Sequence, residues 1–288
     1  MRFGLNVPTA VGKGADPVAE ARRAEEMGFD FVSASDHLHG EAPTNDPWTL
    51  LAMIAASTTR LQVATRVMAV PYRPPPVVAK MAETLDRLSG GRLILGLGGG
   101  YVDDEFRAFG LRVPSPRDKI DGLGEAIRII RGLWSDESFS FEGRLYRTAG
   151  ARVEPRPGRR IPIWVGTYGP RALTLTGRLA DGWIPSLGLA PPDEVRVMRE
   201  RVLAAAREAG RDPDDITCAY NIVVRVDERA EPDPSMVSGS AEAVAEQLIG
   251  FAGIGFAAFN FMPTGPGQDE QIDRLGRDVI PRVRRALD

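Results

Sequence analysis

Residues 31–40 read FVSASDHLHG and hold both histidines of the 288-residue chain, His37 and His39, with Asp36 directly ahead of them. Groups of these types at this spacing could bind a metal, exchange a proton, or end a strand in solvent. Zinc asks for three or four nitrogen, sulfur or oxygen ligands. The chain has no third histidine and a single cysteine, Cys218, so further ligands would have to be carboxylates. No metal is expected on that count. Proton exchange stays open beside the solvated strand end, an imidazole being able to change charge near neutral pH. Alternate side chains of an extended segment share a face, which groups Ser35 with His37 and Asp36 with Leu38. His39 falls in the following loop and receives no role.

A second cluster is LILGLGGGYVDDEF (93–106), with four glycines in the five positions 96–100. Glycines so placed are costly to order and signal a bulge, a tight turn or close approach of a ligand to the backbone. Gly96 and Gly98 begin a G-x-G-x-x-G pattern, but Tyr101 stands where the third glycine belongs. The dinucleotide fingerprint is therefore not met. In VGTYGPRAL (165–173) a glycine-containing loop runs into a helix opened by Pro170. Such a helix start offers free N–H groups to an anion, and ordinary loop chemistry explains it equally well. Arg66 and Arg73 both fall in ATRVMAVPYRPPP (64–76); Arg66 either meets an anionic ligand or faces solvent. No nucleophile elbow, phosphate-binding Walker loop or Cys–His pair occurs, so acyl transfer and nucleotide hydrolysis have no support.

The elements that must hold these residues alternate from end to end. Short apolar runs at 2–8, 29–37, 61–70, 92–100, 161–167, 182–186, 216–226 and 256–263 read as strands. Each is followed by an amphipathic helical pattern, several opened by Asp or Ser at the N-cap and Pro just inside. Eight such pairs predict a single (β/α)₈ TIM barrel over residues 1–288 rather than an open sheet. Residues 139–155 alternate like a hairpin and are expected as an insertion between units four and five. In such a barrel the chemistry sits at the C-terminal ends of the strands, where Asn6, Ser35–His39, Arg66–Val70, Gly96–Tyr101 and Gly166–Gly169 all fall.

Composition narrows the partners. Thirty-six basic and 39 acidic residues give a net charge of −3, with no basic tract interleaved with aromatics. A nucleic-acid partner is not expected. No run of 18 apolar residues exists and the N-terminus lacks an apolar signal core, so no membrane partner is expected either. One cysteine cannot form an internal disulfide, which fits a cytoplasmic location.

Taken together, the stretches RFGLNVP, SDHL, MAETLDRLSGGRLILGLGGGYVDDEFRAFG, FEGRLYR, IPIWVGTYGPRAL and LADGW resemble the luciferase-like flavin and deazaflavin oxidoreductases. The resemblance covers nearly the whole chain and is greatest to the branch that uses coenzyme F420, a deazaflavin. It implies hydride transfer between F420 and a small organic substrate. An FMN-dependent monooxygenase and a non-catalytic cofactor-binding protein are the alternatives. It also implies that Asp36 contacts the ring and that His37 acts as acid–base residue. A non-proline cis peptide at Arg66–Val67 would support one ring face. Gly98, Gly99 and Gly100 would line the cofactor, while Gly166, Thr167, Tyr168 and Gly169 would hold its phosphate. Relatives acting on sugar phosphates carry a glutamate after the glycine run. Tyr101 stands there instead, which argues against a sugar phosphate and makes Tyr101 a second catalytic candidate or a pocket wall. Trp48, Phe106 and Trp183 are further aromatics expected near the mouth, Trp183 more as core. A homodimer is expected from the resemblance alone.

Overall fold

Helix starts follow the capping chemistry written in the sequence. Asp16, Asp46, Ser115 and Ser240 each accept a hydrogen bond from the backbone N–H three residues on, and the first three are followed by proline. A cap of this kind satisfies one of the orphan donors of the first turn. In the computed structural model, which describes residues 1–12, 15–40, 43–230, 233–265 and 267–287, these helices wrap a closed barrel.

The eight barrel strands are Arg2–Asn6, Phe31–Ala34, Gln62–Thr65, Leu93–Gly98, Ile163–Val165, Gly182–Trp183, Thr217–Val226 and Ala258–Pro263. Each pairs in parallel with the next, and the eighth pairs with the first, Arg2 opposite Ala258. The (β/α)₈ barrel read from the alternation is the observed fold. Between the fourth and fifth strands, Phe139–Glu142 and Arg147–Ala151 form a separate antiparallel pair. The stretch after strand four holds a short helix, Asp103–Ala108. No helix among the described residues is long and apolar enough to cross a membrane.

The period of two along each strand organises the barrel interior in layers. Phe31, Ala64, Ile94, Trp164, Ile184, Ala219 and Ala258 form an inner apolar cluster, all at most 3% exposed. Phe31 and Trp164 meet edge to face at 5.7 Å, and the Arg2 guanidinium lies 5.5 and 5.4 Å from their ring centres. Further along stand Ser33, Asn221 and Asn260 in the strands, with Arg66 and Ser186 just past the ends of strands three and six. The plug at the N-terminal end is thus apolar and the layer above it polar. Outside the strands, a second and larger core packs barrel against helices, and Cys218 belongs to it, 2% exposed and free.

Strand three lets go of strand four at one point. After Thr65 the strand resumes only at Met68–Ala69, and the Arg66–Val67 peptide between is cis, where the resemblance places it. The Thr65 hydroxyl takes over the lost pairing, donating to the Gly96 carbonyl at 2.7 Å and accepting from the Gly96 N–H at 2.8 Å. A Cβ on Gly96 would stand 1.9 Å from the Thr65 carbonyl, and one on Gly98 2.7 Å from Val67 Cγ2. The first two glycines of GLGGG therefore make room for the irregular third strand. Replacing Gly96 by Ala forces backbone apart in a close-packed interior, and we expect a loss of about 3 kcal/mol. Urea denaturation of the Gly96→Ala variant measures it; a loss within error of zero would show that the strand yields freely.

Candidate active site

The ends of strands two to seven surround a cavity of about 290 Å³. Of the residues singled out in the sequence, Asp36, His37, Arg66, Val67, Gly98, Gly99, Gly100, Tyr101, Gly166 and Tyr168 border it. Thr167 and Gly169 do not. Thr167 turns outward, its Oγ1 2.8 Å from Thr176 Oγ1 and its carbonyl accepting from Trp183 Nε1 at 2.9 Å. Gly169 is the N-cap of helix Pro170–Leu179 and offers no side chain to cap it.

His37 stands at the rim with its imidazole 48% exposed. Its Nδ1 lies 2.7 Å from Glu105 Oε1, on a carboxylate whose side chain is 3% exposed. The other oxygen of Glu105 accepts from the Tyr72 hydroxyl at 2.6 Å and from the Leu38 N–H at 3.0 Å. Burial opposes the charged form of Glu105, but the Tyr72, Leu38 and His37 contacts outweigh it and hold the carboxyl below its ordinary range. Burial, and then Glu105 itself, push the Tyr72 phenol well above its usual value, so it remains a donor. An ionised carboxylate only accepts, so Nδ1 of His37 carries the hydrogen and Nε2 is the nitrogen left to exchange a proton. A carboxylate that fixes one ring nitrogen in this way sets the tautomer of the other.

Asp36 is held differently. Its two oxygens accept from Arg73 Nη1 at 2.9 and 3.1 Å and from the Ala69 N–H at 3.0 Å. Its side chain has no exposed surface although the residue is 5% exposed, so the cavity meets its main chain. Burial pushes the carboxyl upward while Arg73 and Ala69 act against that shift. Arg73 also reaches Asp46 at 3.0 Å, tying the cap of helix Pro47–Ser57 to the loop after strand three.

Among the aromatics, only Tyr101 and Tyr168 of those named in the sequence reading border the cavity, Tyr101 being 84% exposed. Phe106 is fully buried behind Gly100, its ring 4.8 Å from that of Tyr72. Trp183 is fully buried, and Trp48 packs against the outer core. His39 stacks on Phe109 at 6.1 Å, away from the cavity lining. Sequence reasoning missed Glu105 and Tyr72. Glu105 lay inside the run DDE, which reads as solvated, yet the turn of helix buries Glu105 and Phe106 together. The pairing of an acid with an adjacent aromatic just past a barrel strand was the available signal.

A parallel eight-stranded barrel with its polar groups gathered at the C-terminal mouth is the architecture of a TIM-barrel enzyme. A family model described as luciferase-like monooxygenase matches residues 1–233, and the chain belongs to that family. A curated relative from Nakamurella multipartita, an F420-dependent glucose-6-phosphate dehydrogenase, is 35% identical over 99% of this chain and 97% of its own. The structure of an F420-dependent secondary alcohol dehydrogenase with an F420–acetone adduct aligns with a TM-score of 0.89 at 23% identity, covering 98% of both chains. A riboflavin lyase with a modified FMN aligns at 0.84 and 17% identity, over 99% of this chain and 91% of its own. The fold is thus common to deazaflavin and flavin proteins.

The depressed titration of Glu105 carries a sign for stability. A carboxyl whose pKa is lowered on folding stabilises the fold above its unfolded value, about 4.3, and that contribution disappears as pH falls through the folded value. Urea melts of the native chain and of Glu105→Gln should therefore differ most near pH 7 and converge in acid below the ordinary carboxylate range. A gap independent of pH would show that Glu105 is not charged in the fold.

Proposed function

We propose that this chain is an F420-dependent oxidoreductase that moves a hydride between the deazaflavin and a small organic substrate, with His37 exchanging the accompanying proton. The observation that carries the reading is the His37–Glu105 pair at the rim of a cavity partly walled by glycine main chain. The full-length likeness to a relative named for F420 supports the choice of cofactor.

The lining fits a flat heteroaromatic ring. Val67, Ala69, Ile184 and Leu189 supply apolar surface, Gly98–Gly100 supply bare backbone, and Tyr168, Ser186 and Asn221 supply a few polar contacts. Bound there, the deazaflavin supplies hydride exchange at a ring carbon, while the protein supplies orientation and a dry site. His37 Nε2 takes the hydroxyl proton when an alcohol is oxidised, or returns it when a carbonyl is reduced. Glu105 steadies the imidazolium formed in the first case, and Tyr72 holds Glu105. Asp36 acts through Ala69 and Arg73, keeping the loop after strand three against the cavity. The start of helix Pro170–Leu179, which has no side-chain cap and follows the cavity-lining Gly166 and Tyr168, is the seat we assign to the cofactor phosphate. Tyr101 forms part of the outer wall and is the second candidate donor.

Fluorescence titration separates F420 from FMN: we expect saturable quenching with F420 and weaker or no binding of FMN. FMN binding without F420 binding would replace this reading with the flavin one, and F420 binding without turnover of any substrate would favour a binding protein. With a substrate identified, His37→Ala should lower kcat by about 10²–10⁴-fold with F420 affinity retained. Full activity in that variant would remove the proton role.

We also propose that the 288 residues act as one domain, in the cytoplasm, as a homodimer. Met53, Val77 and Leu88 stand 57%, 49% and 74% exposed on helices Pro47–Ser57 and Pro75–Leu88, apolar surface that a second copy would cover. Light scattering should give twice the 31.2 kDa chain mass, and Leu88→Glu with Met53→Glu should shift it to one chain. A monomeric native protein would dismiss the dimer.

A further inference from the structure

Among the described residues Arg66 is the only lysine or arginine bordering the cavity, and no carboxylate of theirs pairs with it. Its Nε donates to Asn6 Oδ1 at 2.8 Å and its Nη2 to Ser35 Oγ at 2.6 Å, both neutral acceptors. Behind Asn6 the chain of contacts stays neutral. Ser33 Oγ lies 3.4 Å from Asn6 Oδ1 and donates to Asn260 Oδ1 at 2.9 Å, and Asn260 Nδ2 donates to Asn221 Oδ1 at 2.9 Å. The nearby carboxylates are already committed, Asp36 to Arg73 and Glu105 to His37 and Tyr72. The Nη1 of Arg66 makes no hydrogen bond to a described residue, and it is not among the buried polar atoms left without a partner. Arg66 is partly exposed and borders the cavity. Desolvation lowers the Arg66 pKa to about 10, with Tyr168 acting in the opposite direction.

A partly buried cation whose described neighbours are neutral calls for a counter-charge, and the cavity it borders is open to one. We propose that Arg66, backed by Asn6 and Ser35, seats a carboxylate of the substrate, so that the substrates are small hydroxy or oxo carboxylic acids. This rests on the reading of the cavity as the active site. The side on which Arg66 lies favours substrate over cofactor. Val67 packs toward Gly96, Gly98 and Gly166 on strands four and five, beside the glycine backbone assigned above to the ring, whereas Arg66 reaches toward strands one and two. Ser35 lies two residues before His37, so an anion on Arg66 is delivered to the neighbourhood of the proton-exchanging imidazole. Charge count favours carboxylate over phosphate ester: a single guanidinium matches one planar monoanion, and no second lysine or arginine among the described residues lines the cavity to meet a dianion. Substrate class thus parts from that of the glucose-6-phosphate dehydrogenase relatives.

The test uses oxamate and its neutral isostere oxamide, titrated calorimetrically into the protein with and without saturating F420. Oxamate should bind the native protein and oxamide should not, and Arg66→Gln should weaken oxamate by about tenfold or more while Arg66→Lys restores part of it. Thermal melts check that both variants are folded. Equal binding of oxamate and oxamide by the native protein overturns the proposal without recourse to any variant. Tighter binding of glucose 6-phosphate than of oxamate overturns it as well. A loss of F420 affinity in Arg66→Gln with oxamate unchanged would move the anion to the cofactor and also overturn it. Should the native protein not bind F420 yet hold oxamate through Arg66, the carboxylate seat stands and the proposed cofactor fails.

Discussion

The site depends on the place where the third strand breaks its pairing with the fourth. A barrel closes only if every strand finds two neighbours, so a gap in one ladder must be filled chemically. Here one hydroxyl fills it: Thr65 donates to and accepts from the same glycine. The freed residues then serve three directions at once. Val67 goes into the hollow left by glycines, Arg66 crosses to strands one and two, and the Ala69 N–H turns to Asp36. Remove the small residues opposite and the break has nowhere to go.

Around that break, charge is distributed by burial. Asp36 and Glu105 are both enclosed, yet each has a different task because each has different donors. Asp36 is matched by a guanidinium and a backbone N–H and becomes a brace. Glu105 is matched by a phenol, a backbone N–H and an imidazole that remains half in solvent, so its charge is transmitted to a group that can react. The distinction lies in who shares the carboxylate, not in the carboxylate itself.

Much of this was legible in the sequence because it follows periods and caps. Eight alternations gave the barrel, prolines and Asp or Ser gave the helix starts, and strand ends gave a short candidate set that includes most of the cavity lining. The illegible part is relational. Nothing in DDEF says that its third acid turns inward to meet a histidine some 70 positions earlier, since that needs the packing of a short helix over the mouth. Nor does ATRV say which way Arg66 points, because the period of two fails at the break. The glycine run shows the same ambiguity: its first two members serve a protein neighbour, a use that looks identical in sequence to room for a ligand.

The apolar plug has a consequence for access. With Phe31, Trp164 and their neighbours sealing the N-terminal end beneath Arg2, the barrel is a vessel with a single opening. Arg66 lies inside and His37 at the lip. Whatever settles on the inner cation enters and leaves past the rim that carries His37, so entry and exit share one path.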